Sequence, residues 1–561
     1  MARILSSNII SPLGSTAEQN YQAVKSGCSA LTRFEGKWNL PMPFAGSLFT
    51  DKQKEELHVE GFTDFESLVV HSVSDAISQL DMDLSSNRIA LIISTTKGNM
   101  ELLSQPLAQD EEEYIGTAAK RIANYFGITT EPIVVCNACI SGVAAQILGQ
   151  RLIDSGLYDY AIVVGAESIS KFIVSGFQAF NAVTDEICRP FDIERLGLNL
   201  GEGAGTLILG KSDGEGWNLV RGAIRNDAYH LSAPHPQGEG YLSALKAIMG
   251  DYQSEEIATL GVHGTATMYN DQMESVAIQR AGLFLVPVTS LKGYYGHTMG
   301  AAGVIETILT LKATTDGLVL GARGFEDIGV SGKINISPLH RSTNKNLVIK
   351  TLSGFGGCNG SVLYSQSWSM DKQIATPKIY PTHTLKITSD TVIIDDNKLE
   401  TTANGKQLLK ELYKSQIGDY PKFYKMDALT RLAFVASELM LKAEGSEPCS
   451  HRAVILFNRS SSIVADKKFM ETIKDEENHY PSPSAFLYTL PNLTTGEIAI
   501  RNHYNAETSF YILHEKNTEL MEQILSVSFM DEQTTSILGG WIDCPDEEHF
   551  EAELSIYTKL N

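Results

Sequence analysis

Over residues 1–368, short apolar runs without a polar member alternate with segments whose apolar residues recur at helical spacing. Ile89-Ala90-Leu91-Ile92-Ile93 and Ala161-Ile162-Val163-Val164-Gly165 are such runs, the pattern of strands covered on both faces. Glycine-rich turns punctuate them, Gly201-Glu202-Gly203-Ala204-Gly205 and Gly354-Phe355-Gly356-Gly357. The first turn lacks the Lys-Ser/Thr of a phosphate loop and the full spacing of a dinucleotide loop, so close helix–strand packing is its reading. The alternation predicts an α/β architecture. It stops at Ser369-Met370-Asp371-Lys372-Gln373, and with Pro377 and Pro381 following, residues 369–382 are expected to form a linker.

Beyond the linker the pattern resumes as a partial copy. Asp427-Ala428-Leu429-Thr430-Arg431-Leu432-Ala433 resembles Asp64-Phe65-Glu66-Ser67-Leu68-Val69-Val70. His451-Arg452-Ala453-Val454-Ile455-Leu456 resembles Asn87-Arg88-Ile89-Ala90-Leu91-Ile92, and Ile537-Leu538-Gly539-Gly540 resembles Ile162-Val163-Val164-Gly165. One insertion near Pro481 and Pro483 accounts for the drift in offset. In this register Cys139 falls near His514 with no cysteine close by, so the copy is expected to lack whatever chemistry a thiol would supply.

The 561 residues carry a net charge of -22. That argues against nonspecific binding to nucleic acid or anionic membrane. No apolar run is long enough to span a bilayer, and the N-terminal residues lack the apolar core of a signal peptide. A cytoplasmic location is expected, consistent with seven cysteines that are odd in number and unpaired in spacing. Cys136 and Cys139 form a C-x-x-C, but neither a second such pair nor an H-x-x-x-H accompanies it, which argues against zinc.

Ala138-Cys139-Ile140-Ser141-Gly142 lies where the apolar stretch Pro132-Ile133-Val134-Val135 gives way to helical spacing. A thiol there is either an inert core group or a nucleophile at a helix N-terminus, where the dipole and free N–H groups favour thiolate. Two histidine motifs favour the nucleophile: Val262-His263-Gly264-Thr265-Ala266-Thr267 and Lys292-Gly293-Tyr294-Tyr295-Gly296-His297-Thr298-Met299-Gly300. Their small neighbours allow close backbone approach and leave room for a ligand.

The set Cys139, His263, Lys292 and His297 with the 354–357 loop resembles the β-ketoacyl-acyl-carrier-protein synthases, in the elongating Cys-His-His branch of the thiolase superfamily. Arg189-Pro190-Phe191-Asp192, the 201–205 glycines and Asp227-Ala228-Tyr229-His230 through Pro234-His235-Pro236 also match, in order, over residues 1 to about 368. Initiating members pair Cys with His and Asn, and biosynthetic thiolases use a second cysteine that Cys358 echoes only distantly. The resemblance implies a duplicated, five-layered αβαβα thiolase-like fold. The N-terminal half (1–215) would carry the nucleophile and the second half (216–368) both histidines. Residues 383–561 would be a non-catalytic half-ketosynthase-like repeat, similar to the nucleophile-free chain-length factors. The chain would be a homodimer, or an intrachain pseudo-dimer in which the repeat contacts or replaces the dimer face.

The implied activity is 3-oxoacyl-[acyl-carrier-protein] synthase: an acyl thioester held on Cys139 condenses with malonyl thioester, carbon dioxide leaving, in fatty acid or related polyketide or polyene synthesis. His263 and His297 would stabilise the enolate through Nε2. Lys292 would orient the site electrostatically, partnered by Glu274 or Asp271. The N–H groups of Cys139 and Phe355 would form an oxyanion hole in the loop that includes Gly356 and Gly357, and the Phe355 ring would gate the acyl pocket. Thr265 and Thr267 would hydrogen-bond the phosphopantetheine arm of acyl carrier protein; no other cofactor is implied. Carrier protein is usually acidic, so this acidic chain would need a local basic patch. Glu306 and Asn359 match a structural-cation pattern of some members, but Gly261 stands where an oxygen ligand is expected, so no metal is expected. Two other readings exist, a non-condensing chain-length-factor-like partner and a malonyl decarboxylase or acyltransferase. The intact set argues against the first, and the retained cysteine against the second.

Overall fold

The computed structural model describes residues 1–104, 112–211, 214–367, 375–445, 449–475 and 479–560; of the expected linker, 369–374 lie outside these. Five strands lie side by side in the order Arg3–Ile10, Gly203–Gly210, Tyr160–Glu167, Ile89–Ser94 and Ile133–Val135. The first two contacts are antiparallel and the next two parallel. Every residue of Ile89–Ser94 is buried, as its unbroken apolar run requires. A second sheet repeats both order and sense with Asn218–Asn226, Cys358–Ser365, Leu347–Ser353, Ile257–Gly261 and Pro287–Thr289.

Helices Ser141–Asp154 and Met299–Thr315 run between the sheets, and every residue of the former is buried. Asp64–Ile77 covers the outside of the first sheet, and Glu239–Met249 with Met268–Arg280 covers the outside of the second. This is the five-layered, duplicated thiolase-like fold. The 201–205 glycines serve helix–strand packing: a Cβ on Gly205 would stand 3.0 Å from Ile305 Cγ1 of the central helix. The two central helices touch through glycine as well. A Cβ on Gly303 would lie 2.5 Å from Val143 N, and one on Gly142 2.9 Å from Val304 N. That contact sits near both helix starts, which draws together the two turns that precede them.

The repeat uses the same frame a third time. Ile379–Thr388, Glu551–Lys559, Ser536–Asp543, Arg452–Asn458 and Thr508–Ile512 follow in that order, with the same two antiparallel and two parallel contacts. Thr508–Ile512 then pairs antiparallel with Ile133–Val135, Tyr511 opposite Val135 and Ile512 opposite Val134, so the two five-stranded sheets are one. The linker expectation is corrected at its end: Ile379 to Thr382 are already strand. Pro381 misleads because proline usually marks a turn. Here it lies on the outermost stretch of the strand, beside a register shift between Pro381 and His383, where no ladder N–H is demanded.

The glycine contact between the central helices yields a test. Gly303→Val should destabilise the chain by about 3 kcal/mol or more, since overpacking against backbone has no rotamer escape. Thermal unfolding at matched concentration measures it, and an unchanged midpoint would contradict the crossing described.

Candidate active site

The strand Ile133–Val135 runs out through Cys136 and Asn137 into a single 3-10 turn, Ala138–Ile140, that opens the helix Ser141–Asp154. Ala138 takes φ +47°, a left-handed conformation costing an alanine about 1–2 kcal/mol. Its neighbours hold it there. Asn137 N–H donates to Ser141 Oγ at 2.8 Å, and that hydroxyl donates to Ala138 O at 2.6 Å. Asn137 Oδ1 accepts the Phe510 N–H at 2.8 Å, from the repeat. The result is a half-buried Cys139 whose sulfur faces both histidines.

His297 Nε2 lies 3.0 Å from Cys139 Sγ, and the His263 ring meets the His297 ring edge-to-face at 4.9 Å between centroids. Met299 N–H donates to His297 Nδ1 at 3.2 Å. A neutral ring in that contact carries its proton on Nε2, so His297 presents N–H to the sulfur. Burial holds both imidazoles well below the ordinary histidine pKa, helped by the Lys292 ammonium. His263 is fixed through its backbone. Its N–H and that of Gly264 donate to the two oxygens of Glu274, at 2.8 and 2.6 Å. Donor atoms of Cys139, His263 and His297 lie within 4.8 Å of one another, a spacing that could ligate a metal. The His297 tautomer opposes ligation, because a ligating Nε2 would move the proton to Nδ1 and against the Met299 N–H.

Two expectations about charge are corrected. Burial pushes the Cys139 thiol up to about 12, against the pull of Lys292 and of its own N–H. The thiol rather than the thiolate is therefore the resting form, because the helix start lies inside the core and not at its surface. Lys292 pairs with neither Glu274 nor Asp271: its ammonium donates to Glu306 Oε1 at 2.6 Å. Glu274 is engaged by the His263 loop and by Tyr241, and Asp271 accepts the Phe191 N–H at 2.7 Å, bracing the 189–192 turn. The other oxygen of Glu306 accepts from Lys350, which also donates to Val262 O at 3.1 Å. Burial raises the Glu306 carboxyl, but the two ammonium groups outweigh it and keep the group ionised. Glu306 is thus filled by lysines, which leaves it unsuited to the cation pattern.

A cavity of about 320 Å³ opens onto Cys139, His263 and His297. Thr265 and Thr267 line it with their hydroxyls 2.9 Å apart, and Asn270 stands beside them. Gly354, Phe355 and Gly357 of the glycine loop line it as well. Gly354 lies against the nucleophile turn, where a Cβ would be 3.3 Å from Cys139 N, and Gly356 and Gly357 take φ +90° and +73°. The Phe355 ring packs on Phe177 and Phe180, with centroids 6.3 and 5.6 Å away, and Phe486 of the repeat meets Phe177 edge-on and Phe180 at a tilt. Sequence reasoning missed Lys350, Asn226, Phe486 and Asn492. Only Lys350 left a readable signal, a charge in the otherwise apolar Leu347-Val348-Ile349 run.

Comparison with known proteins identifies the family. Residues 4–213 match the family "Beta-ketoacyl synthase, N-terminal domain" and residues 218–326 match "Beta-ketoacyl synthase, C-terminal domain". A putative mitochondrial 3-oxoacyl-[acyl-carrier-protein] synthase of Schizosaccharomyces pombe is 26% identical over 419 residues, covering 64% of this chain and 97% of that protein. 3-Oxoacyl-[acyl-carrier-protein] synthase 2 of Vibrio cholerae is 25% identical over 408 residues, covering 64% and 97%. The structure of the ketosynthase ApeO in complex with its chain length factor ApeC from Xenorhabdus doucetiae matches 65% of this chain and 98% of that one, at 26% identity and a TM-score of 0.56. The PfaC keto synthase–chain length factor matches the whole chain and 78% of its own, with a TM-score of 0.77 at 13% identity, which speaks to fold alone.

The chain belongs to the β-ketoacyl synthase family of the thiolase superfamily. It is a ketosynthase, an enzyme of the acyltransferase type.

The raised thiol predicts how Cys139 reacts. Alkylation of Cys139 by iodoacetamide should speed up about tenfold per pH unit from pH 7 to 9, because the thiolate fraction grows so below the pKa. A rate already level below pH 8 would show a thiolate at rest and reverse this assignment.

Proposed function

We propose that this ketosynthase carries out a decarboxylative Claisen condensation between an acyl thioester and a malonyl thioester, giving a 3-oxoacyl thioester and carbon dioxide. The observation that carries the proposal is the convergence of Cys139 Sγ with His297 Nε2–H and the His263 ring at one end of a cavity walled by Phe355. Attack of Cys139 on the acyl thioester forms an acyl–cysteine, and the departing thiolate takes the thiol proton. The N–H groups of Cys139 and Phe355 face the oxyanion of that step. Malonyl thioester then replaces the departed arm. Two neutral histidines donating through Nε2 hold its carbonyl oxygen as carbon dioxide leaves, and the resulting carbanion attacks the acyl carbon. Cys139 is expelled as thiolate and takes up one proton from solvent to restore the resting thiol, which completes the cycle with no redox change and no cofactor beyond the arm.

The substrates would be delivered on phosphopantetheine by acyl carrier protein, with Thr265 and Thr267 hydrogen-bonding the arm. Lys292, Glu306 and Lys350 set the field, with Asp271 and Glu274 holding the loops. The repeat would serve as an intrachain partner in place of a second subunit, which the pairing of Thr508–Ile512 with Ile133–Val135 supports.

Three measurements test this. Cys139→Ala should abolish acylation, followed by intact mass with acyl-carrier substrates, while leaving thermal unfolding unchanged. His297→Asn should still acylate but release carbon dioxide at least about a hundredfold more slowly, the range for loss of one oxyanion donor; normal turnover would remove His297 from the mechanism. Light scattering should find particles of one chain, 61.3 kDa; twice that mass would argue for a second subunit.

A further inference from the structure

The loop that carries Phe355 is held by three asparagine side chains on three successive carbonyls. Asn492 Nδ2 donates to Phe355 O at 2.8 Å, Asn226 Nδ2 to Gly356 O at 2.8 Å, and Asn359 Nδ2 to Gly357 O at 3.1 Å. Two belong to the catalytic fold. Asn492 belongs to the repeat.

Asn492 stands at the N-cap of the helix Leu493–Asn502, where asparagine ordinarily accepts from the first-turn N–H groups. It makes no such bond. Its side chain turns away from its own helix and spends its donor on Phe355 O. Asn492 is 2% exposed, and among the described residues its Oδ1 is buried without a partner. An amide that forgoes both its cap and its acceptor is costly to bury, so its orientation follows from what its donor meets, Phe355 O and, at 3.8 Å, Cys358 Sγ at the far end of the same loop. The surrounding contact is equally close. A Cβ on Gly496, one turn along, would stand 2.6 Å from Gly356 O.

We infer that Asn492 is a positioning residue, through which the C-terminal repeat holds the Phe355 loop in the geometry that accepts the acyl group. The inference rests on the condensing reading above. In that reading acylation needs the Phe355 N–H, whereas decarboxylation of malonyl thioester by the unacylated enzyme needs only the histidines. The two half-reactions therefore separate a positioned loop from a damaged fold.

In the full chain, Asn492→Leu keeps the volume and removes the donor. Acylation of Cys139, followed by intact mass, should slow by about tenfold or more, the equivalent of one buried hydrogen bond. Carbon dioxide release from malonyl thioester without acyl donor should change less than about twofold on the same scale. Thr495 Oγ1 donates to Asn492 O at 2.8 Å, so Thr495→Val loosens the helix start but spares the donor, and should alter neither rate. If Asn492→Leu does not fold, Gly496→Ala pushes on the same loop and should give the same selective loss. Unchanged acylation in the folded variant, or equal loss of both half-reactions, overturns the inference. A parent chain that never acylates overturns the condensing reading instead.

Discussion

A strand at the edge of a sheet presents unpaired N–H and C=O groups, and Ile133–Val135, which delivers Cys139, would be such an edge without Thr508–Ile512 beside it. The pairing reaches beyond the strands. Cys136 N–H donates to Phe510 O at 3.0 Å, and Asn137 donates to Thr508 O at 3.2 Å while accepting from Phe510 N–H. The strained turn that aims the sulfur is therefore held from both halves of the chain. Among the described residues buried ion pairs also join the two halves, Arg151 with Glu507 at 2.8 Å, Lys97 with Asp466 at 2.8 Å and Arg225 with Asp531. Pairs of this kind add little net stability but are costly to break, so they penalise any slip in register. A slip of one residue would turn every side chain of a strand over.

The electrostatics of the site follow from depth. Lys292 and Lys350 share one anion, Glu306, all three buried. The cluster carries one net positive charge beneath two imidazoles that burial already keeps neutral. That field disfavours a third cation and favours an anion, such as an enolate between the two rings. Preorganised donors in such a setting need not reorient as charge develops. The same depth raises the Cys139 thiol, so one physical cause keeps the sulfur protonated and the rings able to donate.

Local chemistry was legible in the sequence where it needed particular residue types. Cys139, His263 and His297 stand in turns of small residues, and the unbroken apolar runs are the two-sided strands they suggest. The Lys292 partner was not legible, because Glu274 and Asp271 are near in sequence to His263 whereas Glu306 comes one face along a central helix. The raised thiol was not legible, because the dipole and free N–H groups of a helix start favour thiolate and the burial that outweighs them does not show in the sequence. Asn492 and Phe486 lie 137 and 131 positions or so from Phe355 in a segment without a motif. Only the joining of the two sheets places them there. Pro381 shows the converse error, in which a residue's usual meaning is suspended by an edge position.

What the repeat keeps and what it sheds separates scaffold from chemistry. All five strands and their senses are retained, since the sheet cannot be continued without them. The turn after Thr508–Ile512 differs. Where the first half places left-handed Ala138 and then Cys139, residues 513–517 have no left-handed residue, and Asn517 caps the next helix by accepting the Leu520 N–H at 3.0 Å. Strain of that sort persists only where the surrounding structure holds it in place. Relieved of the thiol, the copy takes the ordinary cap. Its added length falls instead between Asn458 and Thr508, the stretch that bears Phe486 and Asn492. The segment that gained length over the first half is thus the one that reaches the other half's active site.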